Sequence, residues 1–145
     1  MNNYYTIPLD TRVLKDKNMH PRCDLKESIR MNIHLIIRTH LNEYRYDGSY
    51  GCLIWNKDYS TVTNVSNWKD ELRDLISLSV EKNEPRLKAV DVRLHMEDAE
   101  ITEQLKKQPL KLKKKITIKI SGNIKHLNEP FEHFEYLFFS PLSLG

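Results

Sequence analysis

Leu25, Ile29, Ile33, Ile36 and Ile37 fall on one face of a 3.6-residue period. The spacing predicts a helix over about 25–40. Asp24, three residues before Glu27, gives it a capping-box start. The Asp24 carboxylate accepts from the Glu27 N–H, and Glu27 reaches back to the Asp24 N–H. Asn42 supplies a stop. A second amphipathic run holds Trp68, Leu72, Leu75, Ile76, Ser79 and Val80. It follows a cap at Ser66 or Asn67 and ends at Pro85, whose ring pushes Glu84 out of the α region.

Beyond Pro85 the period changes to two. Val90, Val92, Leu94 and Met96 alternate with Asp91, Arg93 and His95, the pattern of a half-buried strand. The polar stretch 97–109 reads as a connection or a short helical turn. A second strand sets Leu110, Leu112, Ile116, Ile118 and Ile120 against Lys111, Lys113, Lys115 and Lys119. Lys114 breaks the parity and predicts a bulge or a strand edge there. Gly122 to Pro130 carries turn residues. A third strand, FEHFEYLFF, is apolar on both parities near its end, as for two buried faces or one face open to a partner.

Residues 1–23 contain Pro8 and Pro21 and keep no period. They predict an extended arm docked through Tyr4, Tyr5, Ile7, Leu9, Val13 and Leu14. The loop RYDGSYGCLIW is rich in turn residues, and NKDYSTVTNV reads as a polar connection. The order of elements predicts an α+β fold: two main helices packed on one face of a small three-stranded antiparallel sheet, with an extended N-terminal arm. A length of 145 residues suits one domain over 1–145.

Composition narrows the function. Hydrophobic residues make up 39%, and even with the 4 Gly the share stays under the usual range of about 45–50%. The core is modest, which leaves room for stability supplied by partners. The opening MNNYYTIPLD lacks the basic-then-apolar pattern of a secretory leader. The longest apolar run, Tyr136–Phe139, is far short of the roughly 20 residues of a membrane span. Cys23 and Cys52 show no disulfide framework. These features predict a cytoplasmic protein without membrane insertion.

The net charge of +3 is unevenly spread: 104–128 carries 8 Lys and no acid, and the remainder 15 Lys+Arg against 20 Asp+Glu. The basic segment Lys106–Lys119 invites a nucleic-acid reading, but it has no interleaved Arg and no aromatic to stack on bases. A solvated or protein-facing lysine row, guarding a strand edge, accounts for it better.

No catalytic, metal or cofactor site is expected. His20 and Cys23 are the nearest approach to a ligand pair, and no second pair at matching spacing follows. Neither a nucleophile elbow nor a glycine-rich phosphate loop occurs. Glu81, Glu84, Glu97, Asp98 and Glu100 form close carboxylate pairs, but nothing around them suggests the apolar pocket that would raise one pKa. A small-molecule substrate is not expected.

Glu84-Pro85-Arg86 stands apart, two opposite charges around a rigid ring. The charges can pair with each other, brace the helix against the strand, or present an ion-pairing fork to another chain. Residue chemistry alone favours the local role, because exposed pairs are common and weak.

Three stretches resemble a known family: HPRCDLKESIRMNIHLIIRTHLNEYRYDGSYGCLIW, the helix opening NWKDELRDLI, and EPRL before an alternating strand. They look like the contractile-tail baseplate wedge family, whose members include the phage wedge subunit once called lysozyme-like and TssE of type VI secretion systems. The likeness runs from about Tyr5 to Ile120. It implies a structural subunit rather than an enzyme, working in the cytoplasm within a baseplate assembly. It implies that Glu84, Pro85 and Arg86 bind a partner, anchoring the subunit to the wedge core. It also implies a sheet edge on which extended arms of the first sheath ring are added, making wedge proteins and sheath subunits the partners. A branch of the same superfamily acts as an anti-adaptor that blocks delivery of a client to a protease, and this stays open as the alternative. A wall-cleaving hydrolase is the third reading.

Overall fold

The computed structural model describes residues 3–16, 19–56, 65–101 and 111–139. The arm is only partly extended. Strand β1, Tyr4–Tyr5, pairs antiparallel with β2, Arg22–Cys23. Between them lies a short helix, α1, Thr11–Lys15, capped by Asp10, whose carboxylate accepts from the Arg12 N–H at 2.9 Å. The buried His20 ties the loop together: Nε2 accepts from the Asp10 N–H at 2.9 Å, which leaves Nδ1–H to donate to the Pro21 carbonyl at 3.0 Å. Local side-chain-to-backbone bonds of this kind fold a segment that shows no period in the sequence. Its apolar residues dock less than expected. Tyr5, Ile7, Leu9 and Leu14 stay exposed, while Tyr4 and Val13 are half-buried.

Helix α2, Leu25–Arg38, starts where Asp24 caps it, the carboxylate accepting from the Glu27 N–H at 2.8 Å. The return bond of the capping box is replaced by an ion pair from Glu27 to Arg30 at 3.6 Å. Ile29, Ile33, Ile36 and Ile37 are fully buried. Each such side chain stabilises the fold by about 1.5–3 kcal/mol relative to exposure. The helix ends two residues earlier than its periodicity predicts. Thr39 turns extended, and its hydroxyl donates back to the Leu35 carbonyl at 2.6 Å. Trp55 Nε1 donates to the Ile37 carbonyl at 2.7 Å, and the Cys52 N–H to the Thr39 carbonyl at 2.9 Å. These bonds satisfy carbonyls that a helix end leaves without partners. Gly51 makes this approach possible: its φ is +125°, and a Cβ there would lie 2.6 Å from the Thr39 carbonyl oxygen. A 3₁₀ turn over Leu53–Asn56 then buries Ile54.

Helix α3, Val65–Asn83, begins slightly before the expected caps. Most of the polar connection before it lies outside the described residues. Trp68, Leu72, Ile76 and Val80 enter the core beside α2.

The sheet has the order β3-β4-β5, antiparallel throughout. Strand β3, Leu87–Ile101, is longer at both ends than the alternation predicts. Residues 97–101, expected as a polar connection, continue the ladder against 111–115. Pairing with a central neighbour overrides weak local propensity. The rest of that connection, 102–110, lies outside the described residues, as does Leu110. Strand β4, Lys111–Ile124, runs through Gly122, so the expected turn shrinks to 125–128 before β5, Glu129–Phe139.

The irregularity expected at Lys114 sits elsewhere. The register shifts between Lys88 and Asp91 on β3, where Ala89 takes a φ of 53°. Gly122 lies opposite, its α-carbon so near that a Cβ would stand 3.0 Å from the Lys88 carbonyl oxygen. Lys114 itself pairs on both sides, with Asp98 and with Phe139. The lysine-rich strand is therefore central and guards no edge.

Both helices cover one face of the sheet. Val92, Ile116, Ile118, Ile120, Ile124, Phe131 and Leu137 join the helix residues in a single core. The outer face carries Arg93, His95 and Glu97 from β3, Lys115, Thr117 and Lys119 from β4, and Phe134, Tyr136 and Phe138 from β5. Lys115 and Lys119 fold back along this outer face: their ammonium groups lie over Tyr136 at 4.8 Å and Phe134 at 5.8 Å, and they pair with Glu97 and Glu132.

Candidate protein-docking site

Pro85 breaks α3 and turns the chain into β3, which brings Glu84 and Arg86 to one corner. The Glu84 N–H still donates to the Val80 carbonyl at 2.8 Å, and the Leu87 N–H returns to the Glu84 carbonyl at 3.3 Å. The corner is thus closed by backbone bonds on both sides of the proline.

Glu84 is completely buried. Its carboxylate receives the Arg86 fork, Nε at 2.7 Å and Nη2 at 2.8 Å, and the Arg86 N–H at 3.2 Å. Asn32 of α2 donates to the second oxygen at 2.7 Å and also to the Asn83 carbonyl at 3.1 Å. The Tyr50 hydroxyl in turn donates to the Asn32 side-chain oxygen at 2.9 Å. A buried carboxylate persists only when paired and hydrogen-bonded, and here it is both.

Arg86 extends the network to the surface. Nη1 donates to the Ser28 hydroxyl at 2.9 Å, and the guanidinium lies 5.6 Å from the ring centre of Tyr4 in the arm. The Lys125 N–H donates to the Arg86 carbonyl at 2.9 Å, which joins the corner to the β4–β5 turn. One residue, through its side chain and its carbonyl, therefore links α2, the arm, the α3–β3 corner and the β4–β5 turn. The Glu84 hydrogen bond holds Arg86 even more firmly charged than usual. Burial first, and then the Glu84 charge, push the Tyr50 phenol up to about 12.

Of the three residues singled out in the sequence, Glu84 offers no surface, Arg86 keeps 29% of its side chain exposed, and Pro85 is exposed. The pair forms internally, as its residue chemistry favours. The surface of this corner is Pro85 and the outer flank of Arg86, with Glu84 holding the fork in place.

A second charged group escapes sequence reading. Glu135 is buried on the helix-facing side of β5 and accepts from His34 Nδ1 and His133 Nε2, both at 2.8 Å. Burial alone would raise its pKa, but the hydrogen bonds from the two imidazoles outweigh that and hold it below the usual carboxylate range. His34 and Glu135 are far apart in sequence, and only the packing of α2 on β5 joins them.

Among the described residues no group of three or more His, Cys, Asp or Glu is placed to hold a metal ion, and no helix is long and apolar enough to cross a membrane. Both cysteines are buried thiols.

The family model of baseplate wedge protein gp25 matches residues 23–129, which takes in α2, α3, the corner and most of the sheet. The chain belongs to the baseplate wedge protein gp25 family. The chain has no match among curated protein sequences. A crystal structure from Geobacter sulfurreducens, of a protein called a tail lysozyme, is similar with a TM-score of 0.59 at 16% identity. The likeness covers 84% of this chain and 97% of that one. At this identity it speaks to the shared fold. The baseplate complex from the type VI secretion system gives a TM-score of 0.49 at 17% identity, over 78% and 92% of the two chains.

Proposed function

We propose that this chain is a structural baseplate subunit of a contractile injection apparatus of the type VI secretion kind. It docks to the wedge core through Pro85 and Arg86, and it templates the first sheath ring by strand addition at an edge of its sheet. It works on the cytoplasmic side and performs no catalysis. The observation that carries the reading is the gp25-family match over 23–129, which spans the corner and strands β3 and β4 together. The open geometry supports it. The three-stranded sheet has two edges, and edges of this kind are assembly templates once a partner strand is available. The sequence likeness to the baseplate wedge family as a whole is strongest in the first helix, its loop and Glu84-Pro85-Arg86.

Cells that lack this chain but carry the rest of the apparatus test the proposal. Sheath tubes should be absent, and the wild-type chain should restore them. Restored tubes with Arg86→Lys, which keeps the charge and loses the fork, would count against docking through the corner. Solubilisation of peptidoglycan by the purified chain would overturn the non-enzymatic reading.

A further inference from the structure

Ser28, Asn32, Leu35 and Thr39 follow one another at i,i+4 and i,i+3 spacing, so they share one stripe of α2 and its C-terminal end. Ser28 holds Arg86, and Asn32 holds both Glu84 and the Tyr50 hydroxyl. The stripe then leaves the corner. Thr39, about 16 Å along the axis from Ser28, lines with Leu35 a hollow of about 460 Å³ completed by Glu43, Tyr44 and Tyr50.

The loop that closes the hollow is tied down. The Asn42 N–H donates to the Gly48 carbonyl at 2.8 Å, and Asp47 accepts from the Ser49 N–H at 2.9 Å and from its hydroxyl at 2.6 Å. The Tyr44 and Tyr50 rings meet edge to face, 5.8 Å apart at 64°, and Tyr50 is pinned by its bond to Asn32. Tyr44 is 48% exposed and Leu35 37%, so the apolar wall stands open. Glu43 is exposed beside it. One of its oxygens accepts from the His40 N–H at 2.7 Å, which fixes the carboxylate without neutralising it. Among the described residues, the cations nearest in sequence are engaged elsewhere. Arg38 turns to the Tyr136 carbonyl and Glu135, and the Arg45 guanidinium lies over Tyr46 at 5.8 Å. The His40 ring stacks on Trp55, 5.4 Å away and 8° from parallel.

We propose that this hollow receives an arginine side chain of the neighbouring baseplate chain that docks at Pro85 and Arg86. This rests on the baseplate reading above. The hollow offers an aromatic wall and a fixed carboxylate with no cationic partner, and a guanidinium answers both. Its plane lies on the Tyr44 ring and its N–H groups donate to Glu43, while its stem covers Leu35. An acidic or purely apolar occupant leaves the Glu43 charge covered and unpaired. A partner lying along α2 touches the corner and the hollow together, and the preformed loop lowers the cost of ordering the contact.

Titration calorimetry of the purified chain against the purified wedge proteins of the same apparatus tests this, with Glu43→Gln and Tyr44→Leu as variants. Gln still accepts the His40 N–H, so the loop keeps its fold, and an unchanged Tm checks this. Each variant should weaken binding roughly tenfold or more. N-acetyl-arginine amide is the second probe. In nuclear magnetic resonance it should shift amides within 39–51, and the lysine counterpart should shift them less. Wild-type affinity in both variants, or arginine-probe shifts that are absent or scattered over the surface, overturns the hollow as an arginine site and leaves the baseplate reading standing. Equal shifts with the lysine probe overturn the choice of arginine. No complex between the unmodified chain and the wedge proteins overturns the baseplate reading, and this inference with it.

Discussion

The Arg86 guanidinium closes on both oxygens of Glu84, with Nε and Nη2 at 2.7 and 2.8 Å, across a single proline. The pair is asymmetric: Glu84 has no exposed surface, whereas Arg86 reaches from the buried carboxylate to the edge of the arm. One residue organises the corner from inside and the other displays it.

That asymmetry sets the cost of breaking the pair. Arg86→Ala leaves a buried carboxylate without its main partner and should destabilise the fold by roughly 3 kcal/mol. This is the low end for a buried pair, because 29% of the Arg86 side chain meets water. Replacing both partners, Glu84→Leu with Arg86→Met, should cost less than Arg86→Ala alone, since no charge is then stranded. Urea unfolding of the singles and the double gives the coupling. Additive losses would mean that the two side chains do not act as a unit.

Asn32 holds the carboxylate from the other side. Asn32→Ala removes the donor to Glu84 and the acceptor of the Tyr50 hydroxyl, and should cost about 1–3 kcal/mol in the same measurement.

Tyr50 reports on this network by its titration. Its phenol is raised to about 12, so folding favours the protonated form. The stability it contributes is intact below about pH 10 and is lost as pH rises through about 12. Ultraviolet titration should show a late-ionising component that vanishes in Tyr50→Phe. A titration above about pH 10 that Tyr50→Phe leaves unchanged would contradict the buried placement.

Glu135 acts at the opposite end of the pH scale. Its folded pKa is depressed below the ordinary value of 4.5, so its contribution is present above that pH and is lost as pH falls through the folded pKa. Glu135→Gln should lower the Tm at pH 7, and the gap to the wild type should narrow steadily below about pH 4. A gap that does not change with pH would remove the His34–Glu135–His133 linkage from the account.

Gly51→Ala tests the end of α2. The added methyl meets the Thr39 carbonyl at 2.6 Å in a backbone conformation that L residues rarely take. A loss of more than about 1 kcal/mol is expected, against a gain of about 0.4–1 kcal/mol for a glycine whose conformation alanine tolerates.

Much of the fold is legible in the sequence because burial is periodic. The isoleucines of α2 and of β4 announce a helix and a half-buried strand, and Pro85 marks the join between the two regimes. What escapes is fixed by neighbours distant in sequence. Residues 97–101 have strand character only because 111–115 lie beside them. The lysine row looks like an edge, yet β5 makes β4 central, and the aromatic residues of β5 accept the lysines. The arm folds through Asp10 and His20, whose bonds leave no periodic trace. At the candidate site, Glu84-Pro85-Arg86 is conspicuous as a triplet, but its buried and displayed halves are not. Those depend on Asn32, Ser28 and Tyr4, which converge from two other elements. The i,i+4 stripe of Lys26, Arg30, His34 and Arg38 is visible in the sequence, and its meaning comes only from β5 lying beneath it.

The central claim is that this body is an assembly part whose sheet and corner await other chains. Sedimentation velocity of the purified chain, mixed with the purified wedge proteins of the same apparatus, tests it most directly. A single faster boundary carrying the chain and the wedge proteins in fixed ratio is predicted, and Arg86→Lys should shift material back to the slow boundary. A chain that sediments alone as a monomer at every ratio would contradict the account.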